Sequence, residues 1–69
     1  MKVYLFLAEG FEEIEAIAPI DIFRRAGIET ITVSITSDKI VTGAHGISVV
    51  ADALFESTDF NGEYLLFLP

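Results

Sequence analysis

The stretch KVYLFLAEGFEEIEAIAPIDIFRRAGIETITVSIT, Lys2 to Thr36, decides the fold. Its first six residues, Lys2 to Leu7, are almost continuously apolar and rich in β-formers. Such a run suits a strand buried on both faces, as in a parallel sheet. Ala8-Glu9-Gly10 interrupts it. Glu12 to Ala26 then reads as a helix, with acids in the first turn and Arg24-Arg25 in the last, as the helix dipole favours. Gly27 stands where a glycine commonly ends a helix. Glu29 to Thr36 alternates and is β-branched, the pattern of a second strand. Strand, helix, strand is a βαβ unit, whose crossover is expected to be right-handed.

Outward from this unit the pattern loosens. Ile40–Thr42 and Ile47–Ala51 are short β candidates around Gly43-Ala44-His45-Gly46, a glycine-rich turn that predicts a hairpin. Ala53 to Ser57 is consistent with a short helical turn. Asp59-Phe60-Asn61-Gly62 is a second turn cluster. Tyr64 to Leu68, YLLFL, is another fully apolar strand before Pro69. The expected sheet therefore holds Lys2–Leu7, Thr30–Thr36 and Tyr64–Leu68, mainly parallel, with Glu12–Ala26 against one face. Three apolar strands and one helix leave one sheet face bare. A chain of 69 residues is also small for a self-sufficient core. The expectation is a fragment, a split chain or an obligate partnership, with the remainder of the domain or a partner chain as cover.

Composition narrows the function classes. No cysteine is present, which excludes a disulfide scaffold, a thiolate metal site and a cysteine nucleophile within these 69 residues. The formal net charge of −7 argues against a nucleic-acid surface and fits a soluble cytoplasmic protein. The apolar run Val3–Ala8 is too short to span a membrane. Hydrophobic residues make up 52% of the chain, so substantial surface needs covering.

The candidate sites are few. Gly10 alone does not make a dinucleotide fingerprint, which needs three glycines at set spacing, and no P-loop lysine follows. No serine lies in a G-x-S-x-G elbow. His45 is the sole histidine, so no cofactor and no metal site is expected; it reads either as a loop residue or as a catalytic or interface residue. Glu12-Glu13 reads as a first-turn charge pair. Glu15 is different. On a wheel of about 100° per residue, phased on Phe11, it falls between Ile22 and Ala26, inside an arc with Ala18 and Phe23. A carboxylate on a core-facing stripe is costly unless paired or protonated. Its two readings, an acid reaching out to water and a functional acid, stand level on this evidence. Pro19 lacks an N–H and is expected to bend the helix.

The run LAEGFEEIEAIAPIDIFRRAGIE, Leu7 to Glu29, closely resembles the N-terminal helix region of the ThiJ/PfpI superfamily. That superfamily spans Parkinsonism-associated deglycases, thiazole-biosynthesis ThiJ proteins and PfpI intracellular proteases. VTGAHGISVVAD, Val41 to Asp52, resembles the family's hairpin, and YLLFLP its strand before a glycine pair. The resemblance implies the N-terminal half of a flavodoxin-like, class I glutamine amidotransferase-like α/β domain: a doubly wound, mainly parallel sheet with a β-hairpin insertion. Residues 1–69 would be part of that single domain, with the catalytic cysteine, its histidine and the oxyanion glycines beyond Pro69. Glu15 matches the family's acid that hydrogen-bonds the reactive cysteine. Arg25 and His45 match positions near the dimer interface, close to the partner's active site; relatives carry arginine where this chain has His45. The implied activity is a cysteine-dependent glyoxalase or deglycase, or an amidase-like hydrolase, acting on a small molecule as a homodimer. The alternatives are a redox-sensing or chaperone-like relative, and a catalytically inactive fragment.

Overall fold

The computed structural model describes residues 1–69 throughout. In chain order it contains β1 (Lys2–Leu7), α1 (Glu13–Arg25), β2 (Glu29–Ser34), β3 (Ile40–Thr42), β4 (Ser48–Val50), β5 (Ala53–Leu54) and β6 (Tyr64–Phe67). A short 3₁₀ turn, Phe55–Ser57, follows β5. Four strands form one sheet in the order β5-β2-β1-β6, and every neighbouring pair is parallel. β3 and β4 make a separate antiparallel hairpin, with Val41 opposite Val49. This is an α/β fold with a parallel central sheet and a small hairpin insertion.

The apolar run of β1 has the burial its composition predicts. β1 is central, with β2 on one side and β6 on the other, and Val3, Tyr4, Leu5 and Leu7 are all buried. One core cluster joins Leu5 and Leu7 to Phe11, Ala16, Val41 and Ala51, with Ile20, Val49 and Phe67 packed around it. Strand, helix and hairpin therefore share a core. On the sheet's other side, Phe6, Phe55, Phe60, Tyr4 and Tyr64 form a string of edge-on and tilted aromatic contacts.

α1 is capped at its start by Glu12, whose carboxylate accepts from the Ile14 and Glu15 N–H groups at 3.0 and 3.3 Å. It runs unbroken through Pro19 to Arg25, and the chain turns away at Gly27, whose φ of +80° is a conformation that glycine adopts readily. Its far end is tied to the sheet by Asp52. One Asp52 oxygen accepts from the Arg24 guanidinium at 2.8 Å, the Thr32 N–H at 2.9 Å and the Thr32 hydroxyl at 3.0 Å. Residues 53–57, expected as a helical turn, divide into the two-residue β5 and the 3₁₀ turn. The difference arises because Ala53 and Leu54 pair with Val33 and Ser34, extending the sheet past β2.

Candidate active-site edge

In a parallel sheet, ligands gather outside the carboxyl ends of the strands, where neighbouring strands lead off in opposite directions. Here that point lies between β1 and β6. β2 and β5 extend the sheet to one side of β1, and β6 lies on the other. A cleft of about 500 Å³ opens there, lined by Phe6, Ala8, Glu9, Phe11, Ile35 and Leu68 among others. Its walls are residues at or just beyond the ends of β1, β2 and β6, with Phe55 from the 3₁₀ turn after β5. Glu9 is its one acidic lining residue; its carboxylate accepts from the Thr42 N–H at 3.2 Å, and the Gly10 N–H donates to the Thr42 carbonyl at 2.8 Å. The loop after β1 is therefore fastened to the hairpin.

α1 follows that loop, so its first turn stands at the same edge. Its cap and first turn together carry three acids, and each has a different environment. Glu12 caps the helix. Glu13 is 6% exposed and points into the hairpin turn. Glu15 is exposed, and its carboxylate makes no hydrogen bond or ion pair within the chain. The expectation that Glu15 lies on the buried stripe is corrected here. The wheel was phased on Phe11, which precedes the helix and sits in non-helical backbone. Within α1 the buried or packed positions are Glu13, Ala16, Ile20 and Phe23, spaced i, i+3, i+7 and i+10. Glu15 falls about 120° from the centre of that face. Ala18, Ile22 and Ala26, placed inward by the wheel, are exposed.

Glu13 is the residue that sequence reasoning missed. Its Oε2 accepts from the His45 N–H at 2.7 Å and the Ile47 N–H at 3.3 Å, and its Oε1 lies 2.9 Å from His45 Nδ1. Burial works to raise the pKa of this carboxyl, but the His45 ring and the backbone N–H donors outweigh it and hold the value at about 2. His45 is raised above its usual 6.5, first by the hydrogen bond to Glu13 and then by the charges of Glu13 and Glu12. The position of Glu13 one turn before Ala16, in line with Ile20 and Phe23, puts it on the packed face, but nothing in that spacing names its partners in the hairpin turn.

Glu12, Glu13 and His45 bring potential ligand atoms within 4.8 Å of one another. Both carboxylates are already committed, one to the helix N-terminus and one to the hairpin turn, so the group acts as a clamp between elements. His45 thus joins the first turn of α1. Arg25 does not: it lies in the last turn, roughly 15 Å along the axis from Glu15, and pairs with Asp21 at 3.5 Å on the exposed surface.

Comparison with known proteins agrees with this architecture. The chain matches the DJ-1/PfpI family over residues 1–69. It is 38% identical over 69 residues to a deglycase of Thermococcus kodakarensis, covering 100% of this chain and 41% of that protein. It is 35% identical over 68 residues to DJ-1 homolog B of Arabidopsis thaliana, covering 99% of this chain and 16% of that one. Among solved structures, a DJ-1 superfamily protein of Salmonella typhimurium superposes with a TM-score of 0.78 at 42% identity, covering 80% of this chain and 30% of the other. Oxidized DJ-1 of Toxoplasma gondii gives 0.80 at 41% identity, with 81% and 30% coverage. The chain spans less than half the length of each of these relatives. A strand–helix–strand unit, a hairpin and a fourth parallel strand in this order, matched along the entire sequence, make this chain a member of the DJ-1/PfpI family.

Proposed function

We propose that residues 1–69 form the N-terminal part of a single DJ-1/PfpI domain whose complete protein is a cysteine-dependent enzyme. The activity is of the glyoxalase or deglycase kind, or an amidase-like hydrolysis, on a small-molecule substrate. Glu15 supplies the acid that hydrogen-bonds the cysteine, and the cysteine comes from outside these residues. One observation carries the reading. Of the three acids at the cap and first turn of α1, Glu15 alone has a carboxyl uncommitted within the chain, and the helix that carries it starts just after the loop that ends β1. In its protonated form such a carboxyl donates to a thiolate, stabilises it and so raises the nucleophile's reactive fraction at neutral pH. The resemblance to a deglycase of Thermococcus kodakarensis and to a putative cysteine protease of Bacillus subtilis supports cysteine chemistry as the class.

The same reading makes the protein a cytoplasmic homodimer, with Arg25 and His45 near the partner's site. Its support is the apolar surface that α1 and the hairpin leave open: Ile14 is 75% exposed, Ile22 63% and Ile47 54%. No helix of the chain is long and apolar enough to cross a membrane. A redox-sensing role for the same cysteine is the second reading, favoured by the likeness to a DJ-1 solved in oxidized form.

The deciding experiment is the cysteine pKa in the full-length protein, read by pH-dependent alkylation. Glu15→Leu removes the donor, and the pKa is expected to rise by about one unit or more with a matching fall in turnover. An unchanged pKa and unchanged turnover would refute the role of Glu15. A raised pKa without any turnover of aldehyde or amide substrates in the wild type would favour the redox reading.

A further inference from the structure

The β3–β4 turn is held by more than its own strands. Internally, the Gly43 N–H donates to the Ile47 carbonyl at 2.9 Å and the Gly46 N–H to the Gly43 carbonyl at 3.1 Å. Externally, the Ala44 N–H donates to the Phe11 carbonyl at 2.8 Å, and the Glu13 carboxylate takes the His45 and Ile47 N–H groups and the His45 ring. Gly43 shows how closely the turn is seated. Any Cβ there would overlap the Glu13 carboxyl group. A buried acid from the helix is thus received in a cradle of bare backbone, and one exposed, titratable ring closes it.

This seat joins two walls. A cleft of about 640 Å³ runs between α1 and the hairpin, lined by Ile14, Ile17 and Ala18 on one side and Ile47 and Val49 on the other, with Glu13 and Asp21 along the helix edge. We propose that Glu13, Gly43 and His45 form a proton-coupled latch that fastens the β3–β4 turn to α1.

The charged groups facing the His45 ring are Glu12 and Glu13, both from α1. The turn's own Ala44, Gly46 and Ile47 carry no charge. Glu9 reaches the hairpin at Thr42, on the strand before the turn. The sign follows from these groups. Glu13 titrates lower in the fold than its usual 4.5, so its contribution is complete above that pH and is lost as pH falls toward about 2. His45 titrates above its usual 6.5, so its contribution is complete below that pH and is lost as pH rises through the raised value. The latch is tightest between these limits. Above them the His45 ring loses its charge, but the two backbone N–H bonds to Glu13 remain, so the turn loosens without detaching.

The test is amide exchange by NMR on the full-length protein between pH 5 and pH 9, corrected for intrinsic exchange chemistry, with the His45 ring resonances followed in parallel. In the wild type the ring is expected to titrate above 6.5. Protection of the His45 and Ile47 amides is expected to fall about threefold or more across that titration, as the ring loses its charge and local opening becomes easier. In Glu13→Gln the ring should titrate lower than in the wild type, with only the Glu12 charge still raising it, and the pH step should shrink. In His45→Gln the backbone bonds survive, so the turn should stay folded with protection that no longer changes with pH. A wild-type ring titrating at or below 6.5, or a pH step that persists in His45→Gln, would overturn the latch. If Glu13→Gln does not fold, the wild type and His45→Gln decide the matter between them.

Discussion

β1 and β6 are both unbroken apolar strands, and they sit side by side in register, Lys2 beside Tyr64 through Leu5 beside Phe67. Their surroundings could hardly differ more. Leu5 of β1 is fully buried, whereas Leu65 and Leu66 of β6 are 47% and 52% exposed. Composition does not separate them; position does. β1 has a strand on each side and α1 and the hairpin above it, while β6 is an edge with one neighbour. An apolar sequence states a need for cover, and only the topology says whether this chain meets it. Where it does not, the strand is left open, and the chain spans less than half the length of the relatives it matches.

The sharpest way to break this comparison is to truncate both strands. In the full-length protein, Leu5→Ala is expected to cost about 2–5 kcal/mol in denaturant unfolding, the range for a buried leucine whose cavity does not collapse. Leu66→Ala should cost a similar amount if further segments cover β6, and within about 1 kcal/mol if β6 remains an edge. Next in size is Gly43→Ala, which forces the new methyl into the Glu13 carboxyl group. It should destabilise by about 1–3 kcal/mol and remove the hairpin turn's exchange protection, leaving β1 amides unaffected. The smallest effect is expected at Asp52→Asn. The amide keeps one acceptor for Thr32 but loses the charge paired with the half-exposed Arg24, a change of about 1 kcal/mol. Thermal unfolding of that variant, compared with Arg24→Gln and the double variant, isolates the pair.

Most of the architecture could be read in advance. β1, the extent of α1 to within a residue at each end, the hairpin and the parallel β6 all follow from apolar runs, dipole-ordered charges and glycines. β5 could not be read, because two residues joining a sheet edge leave no periodicity. The face of α1 was misplaced for a definite reason. Phe11 is buried, but it is not helical, and one non-helical residue in the phasing rotates every inference that follows. Glu13 was read as half of a first-turn charge pair because its partners, backbone N–H groups and the His45 ring, lie in a turn 32 residues away. No local pattern announces a long-range bond to backbone. His45 was recognised as ambiguous; its placement against Glu13 required the hairpin's docked position.

The pairing of Lys2 with Tyr64 also has a meaning in time. β1 is made first, and its second neighbour is made roughly sixty residues later. At synthesis rates of about 5–20 residues per second, that interval is several seconds. During it, one side of this largely apolar strand presents unpaired N–H and C=O groups. β2 arrives sooner and covers the other side. The nascent chain therefore passes through a stage in which its central strand is temporarily an edge, and the stretch most prone to pair with a foreign strand is Val3 to Leu7. Lys2, at the start of that strand, is its one charged residue.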